Sequence, residues 1–208
     1  MYFCGLLNIP AFAVNAIDVY NSRTMILPIY AYGQPVLKKI GEEIDKDYPE
    51  LQELIADMWE TMKRAEGVGL AAPQIGRAIR LFLVDTTEAL EDNPEEEGIK
   101  KVFINAQIVD EQGKEWSYEE GCLSIPDIRG EVNRLSQIKI SYLDENFEEH
   151  TEVYGGINAR VIQHEYDHIE GKLFTEKLKP LKRRMIAKKL DKIKAGKIRA
   201  DYKMKFKK

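Results

Sequence analysis

The chain has 208 residues, 44% of them hydrophobic, a formal net charge of −4, and no unbroken apolar run near the ~18–20 residues that a membrane-crossing helix needs. These totals fit one soluble domain with a well-filled core. Cys4 and Cys122 are the only cysteines, too few for a disulfide framework, so a cysteine with a task must work as a thiol or thiolate, as suits a reducing, cytoplasmic setting.

Charge is unevenly spread. From Lys172 onward the chain carries 16 basic and 3 acidic residues, whereas the residues before it carry 15 basic and 32 acidic. An acidic body precedes a basic tail, about 178–208, whose lysines suit either a solvated helix face or phosphate contacts to ribosomal RNA.

Residues 1–24 are apolar and small, with Asp18 and Arg23 their only charges. Pro10 and the lack of early lysine or arginine argue against a secretory leader. The segment is expected to be a weakly ordered extension, translated upstream of a natural start at Met25, ahead of a domain spanning 25–208. From Pro49 to Glu66, Leu51, Leu54, Ile55, Met58 and Met62 recur at helical spacing before Gly67. Arg80–Asp85, Lys101–Val109 and Gln137–Leu143 are β-branched or aromatic-rich runs, and Glu148–Tyr154 reads as a hairpin partner of the last across Asp144-Glu145-Asn146. Between them, Glu88–Glu97 holds six acids and Asn93-Pro94 and is expected to be a solvated loop.

Gly156–Glu170 is expected to be a helix closed by Gly171 at C′. It carries His164-Glu165-Tyr166-Asp167-His168, two of the chain's three histidines. On a helix, residues four apart stand on one face, so both imidazoles can reach one metal ion, with Glu165 placed to take a proton from water. Pro180–Lys194 follows as a helix with Leu181, Met185, Ile186, Leu190 and Ile193 on one face. Strands precede the metal-binding helix and no βαβ alternation is evident, so the expected class is α+β: antiparallel or mixed sheets around a central metal-binding helix, with a C-terminal helix.

Two histidines do not complete a catalytic metal site, which usually takes three protein ligands and leaves one position for water. The extended motif of one protease group would need a third histidine where this chain has Phe174, and later acids such as Glu176 and Asp191 are poorly placed. Cys122, in Glu120-Gly121-Cys122-Leu123-Ser124-Ile125-Pro126, is a better candidate, since a thiolate with two imidazoles makes a coherent site. Against this, a lone cysteine is more often a small buried hydrophobe.

Three segments, Gly67-Val68-Gly69-Leu70-Ala71-Ala72-Pro73-Gln74, Glu120-Gly121-Cys122-Leu123-Ser124 and Gln163-His164-Glu165-Tyr166-Asp167-His168-Ile169-Glu170-Gly171, together resemble the signature motifs of peptide deformylase, in order. The likeness runs from about Met25 to Gly196, and the lysine-rich C-terminus is similar to the type 1 branch. The resemblance implies hydrolysis of the formyl group of N-formyl-methionine on nascent chains, at a divalent ion held by Cys122, His164 and His168. Fe²⁺ is then the physiological ion, with Zn²⁺ or Ni²⁺ able to occupy a purified sample. It implies Glu165 as proton shuttle and Gln74 with the Leu123 N–H as oxyanion donors. Gly67 and Gly69 would leave room for an extended substrate, Val68, Gly69, Glu120, Ile157 and Val161 would accommodate the methionine side chain, and Arg129 would lie near the substrate backbone. Two other readings compete: an endopeptidase using the same pentad, and a non-catalytic protein with a structural metal.

Overall fold

The structure, a computed structural model, describes residues 24–207, so the expected extension lies, apart from Thr24, outside the described residues. Its elements in chain order are β1 (Ile29–Tyr30), α1 (Leu51–Arg64), β2 (Gly69–Ala71), β3 (Leu81–Asp85), β4 (Lys100–Cys122), β5 (Ile125–Leu143), β6 (Glu149–Gly155), α2 (Gly156–Ile169), α3 (Phe174–Lys177), α4 (Pro180–Lys194) and β7 (Met204–Lys205). An antiparallel sheet runs β2-β3-β4-β5-β6, and β1 pairs in parallel with β7. This is the expected α+β class.

Both faces of the large sheet are covered, which explains why β3 is apolar throughout. Leu81 and Leu83 face a cluster with Leu51, Ile55, Met58 and Met62 of α1, while Phe82 and Val84 face a second cluster with Ala159, Ile162 and Ile169 of α2. Burial of these side chains, at ~1.5–3 kcal/mol each, is the main force seating both helices. α2 is thus held inside the molecule by packing, and its polar pentad must find partners there.

Two sequence expectations were too short. The runs at 101–109 and 137–143 are the inner ends of β4 and β5, which continue as a long ribbon through Gly113 and Gly130 with several register shifts. The outer part of β4 is exposed and charged, so neither face carries the apolar alternation that marks a half-buried strand. The ribbon ends where Cys122 pairs with Ile125 across the two-residue turn Leu123-Ser124. Between β5 and β6, Asp144 Oδ1 accepts the N–H groups of Asn146 (2.8 Å) and Glu148 (3.0 Å), which pins the expected turn.

The acidic segment 88–97 is more than a solvated loop. Leu90 is buried, and the Glu96 carboxylate accepts the N–H groups of Ile157 (3.0 Å) and Asn158 (2.7 Å). Gly155, at the N-cap of α2, has no side chain to do this. At the other end Gly171 adopts φ +66°, and a Cβ there would stand 2.8 Å from the Lys38 carbonyl oxygen. In α4 only part of the expected apolar face is covered. Ile186 and Ile193 are buried and Leu190 packs against them, but Leu181 and Met185 are exposed.

Candidate metal centre

Three side chains from two elements meet at one point. The ligand atoms of Cys122, from the end of β4, and of His164 and His168, one turn apart on α2, all lie within 4.8 Å of one another. His168 Nε2 is 3.3 Å from Cys122 Sγ, and the two imidazoles stand nearly edge-on, with centroids 5.1 Å apart. Phe174, at the position where the protease motif would place a histidine, packs on the His164 ring at 5.9 Å.

Beneath His164 lies a buried charge network that the sequence motifs do not reveal. Glu120 accepts from Arg134 Nε (2.7 Å) and Nη2 (2.9 Å), and from Arg160 Nη1 (3.0 Å). Its Oε2 is 2.9 Å from His164 Nδ1, which leaves Nε2 for the centre. Arg134 also donates to Asp167 at 2.7 Å, and Arg160 stacks on Trp116 at 4.5 Å. Burial would raise the Glu120 carboxyl, but Arg134 and His164 together hold it well below the usual carboxylate range. Its carboxylate is shared by both arginines and by His164, which restrains the His164 ring, and Glu120 also lines the cavity where a contact with the methionine side chain is expected.

Glu165 differs in kind. It is buried, its Oε2 has no hydrogen-bond partner among the described residues, and burial pushes its carboxyl up to about 7, with His164 and Arg134 opposing and Glu120 and Asp167 reinforcing. For His164, burial is outweighed by the bonds to Cys122 and Glu120 and by the charge of Glu165, so its pKa stands at about 10. His168 is depressed, first by burial and then by the charge on His164. Two imidazoles and a cysteine sulfur side by side are groups that bind a cation only with their ligating atoms free of protons.

The remaining expected residues gather around a cavity of about 580 Å³. Gln74 is fixed in orientation: its Oε1 accepts from Ala71 N–H at 2.8 Å, which turns Nε2 toward Cys122 Sγ and Ser124 Oγ, each 3.5 Å away. Gly67, Val68, Gly69, Leu123, Arg129, Ile157 and Val161 all line the cavity, with Val68 and Arg129 exposed at its rim. Gly69 has a reason beyond substrate clearance, because a Cβ there would collide with the Glu165 carboxylate. Tyr118, Arg160 and Tyr202 also line it. No local pattern marks these three, which arrive from the ribbon, the helix underside and the far C-terminus. Burial raises the Tyr202 phenol, and the charges of Cys122, Asp127 and Asp201 add to this, so it stays a donor.

One half-buried sulfur and two buried imidazoles, with an unpartnered carboxylate oxygen beside them, fit a divalent cation. Among the described residues no fourth histidine, cysteine or carboxylate joins the group, which is the pattern of an open site rather than a closed structural one.

Comparison with known proteins agrees with this geometry. The family model described as polypeptide deformylase matches residues 26–184. A peptide deformylase of Christiangramia forsetii is 57% identical over 189 residues, covering 88% of this chain and 96% of that relative. One from Flavobacterium johnsoniae is 56% identical with the same coverage. A crystal structure of a peptide deformylase from Legionella pneumophila superposes with a TM-score of 0.71 at 39% identity, covering 83% of this chain and 97% of that one. With motifs, centre and overall fold in agreement, this chain belongs to the polypeptide deformylase family.

Proposed function

We propose that Cys122 Sγ and the imidazoles of His164 and His168 hold one divalent cation, and that residues around it carry out the family's reaction. That reaction removes the N-formyl group from the formyl-methionine of nascent polypeptides and releases formate. The observation that carries this reading is the convergence of the three donors beside the unpartnered Glu165 Oε2. A divalent cation bound there supplies Lewis acidity and lowers the pKa of a water toward neutrality. We assign Fe²⁺ as the resident ion, with Zn²⁺ or Ni²⁺ taking its place in a purified sample.

Glu165 takes a proton from the attacking water at Oε2 and returns it to the leaving amine. The water oxygen first bonds to the formyl carbon, and the C–N bond then breaks, so formate and a free methionine amine result. Gln74 Nε2 and the Leu123 N–H donate to the oxyanion formed between these events, each contributing ~10²–10³ in kcat. The fixed Gln74 amide favours this role, since its orientation costs nothing during reaction. Ile157 and Val161 form the apolar wall for the methionine side chain, Val68 its rim, and Gly67 and Gly69 admit an extended peptide, with Arg129 near its backbone.

Residues 25–208 form the catalytic unit in this reading, which works in the cytoplasm. No helix among the described residues is long and apolar enough to cross a membrane. The basic face of α4 is assigned to phosphate contacts on the ribosome, where nascent chains emerge. The test compares formate release from a formyl-Met peptide with internal cleavage of an unstructured protein such as casein. Formate release without internal cleavage is expected, and the reverse result would favour an endopeptidase.

A further inference from the structure

The two-residue turn after Cys122 is gripped by segments from both ends of the described chain. Tyr202 donates its hydroxyl hydrogen to the Leu123 carbonyl at 2.7 Å, and Tyr32 N–H donates to the Ser124 carbonyl at 2.8 Å. Tyr32 follows β1 and Tyr202 precedes β7, and these two strands pair in parallel, Ile29 with Met204 and Tyr30 with Lys205. Backbone bonds from Ile29 N–H to Lys203 O (2.8 Å) and from Ala31 N–H to Lys205 O (3.0 Å) lock the pairing. Ile198, Met204 and Phe206 pack into the cluster that holds Ile125 and Ile128, so residues 197–206 form a strap seated on the same core as the turn.

Holding the turn matters for geometry. The peptide between Leu123 and Ser124 is the central one of the turn, and its rotation is the soft motion of a two-residue connection. The Leu123 N–H lies in the preceding peptide, which such a rotation leaves in place, so a bond to the Leu123 carbonyl bears on it by fixing the position of the turn and of the Leu123 Cα. A hydroxyl donor aimed at the Leu123 carbonyl accepts one orientation of that peptide and not the flipped one. Tyr202 lies beyond residue 184, where the match to the family model ends.

We infer that Tyr202 is a positioning residue for the reaction: carried by the C-terminal strap, its hydroxyl holds the Leu123–Ser124 turn in place through the Leu123 carbonyl, and with it the Leu123 Cα beside the N–H donor proposed above. This rests on the oxyanion role proposed above for Leu123. The experiment uses the full chain loaded with Ni²⁺ and a formyl-Met tripeptide, comparing wild type with Tyr202→Phe, which keeps the ring and removes only the donor. The expected result is a fall in kcat of about fivefold, the factor one neutral hydrogen bond is worth, with KM, metal content and melting temperature unchanged. Tyr202→Leu, lacking ring and hydroxyl, should lower kcat further and raise KM, because the ring lines the cavity. Unchanged kcat in Tyr202→Phe would overturn the inference, as would a loss that follows metal content or melting temperature, since that is a structural role. Failure of the wild type to release formate would instead strike the function proposed above.

Discussion

At the residue scale, the site is decided by contacts that allow no extra atom and no missing partner. Gly69 is one such position: an added Cβ would overlap the Glu165 side chain and push its carboxylate out of place into the cavity. Gly69→Ala is therefore expected to lower kcat/KM by about 10²-fold while metal content is retained, measured by formate release alongside metal analysis. Glu120 is the other. Glu120→Gln keeps the volume but supplies one acceptor where two arginines and His164 now share a carboxylate. Metal affinity should fall about 10–100-fold, read by competition with a chelator, and unaltered affinity would remove Glu120 from its orienting role. Glu165 sets the pH response. Its carboxyl is lifted to about 7 by burial, and it accepts a proton only when ionised. Activity is thus present above its pKa and lost as pH falls through it. A nearby cation favours the ionised form and moves the limb lower still, so the acid limb of kcat/KM should lie at or below about 7. A limb well above that value would contradict the assignment.

At the scale of elements, α2 shows why helix ends matter to a centre in the helix middle. Its first turn has no side-chain cap of its own, and Glu96 supplies one from the acidic segment, satisfying two N–H groups with a charge that also suits the positive end of the helix. Glu96→Ala should cost about 1 kcal/mol, seen as a drop of about 2–4 °C in melting temperature. No shift would mean that water replaces the carboxylate without loss. The same element marks how far the sequence could be read. The positions of His164, His168 and Gly171 followed from helical spacing and stop chemistry, because those signals are local. Glu96 reaching Ile157 across 61 residues is a tertiary contact, and a run of acids reads as solvated whichever of its members turns inward. Likewise the outer half of β4 escaped notice because its exposed residues lack the alternation that burial imposes on strands.

At the scale of the molecule, Cys122 could be joined to the pentad through the need for a third metal ligand, but Gln74 was grouped with them only by resemblance, since the three segments share no local pattern. Their convergence is produced by packing: α2 sits against one face of the sheet, and the ribbon formed by β4 and β5 folds back to deliver Cys122 over it. Arg134, Arg160 and Tyr202 remained invisible to sequence reading for the same reason, each being an ordinary charged or aromatic residue until the fold brings it near the centre. The exposed Leu181 and Met185 on α4, among the lysines of the tail, are the part of the apolar pattern that this core does not use.

The central claim is that one ion, held by Cys122, His164 and His168, is what makes the chain a deformylase. Stepwise addition of Fe²⁺ under anaerobic conditions to chelator-stripped protein, with formate release measured at each step, tests it directly. Activity should rise in proportion to added metal and level off at one ion per chain, and Cys122→Ser should neither hold the ion nor release formate. Full activity in the stripped protein, or full occupancy and turnover in Cys122→Ser, would contradict it.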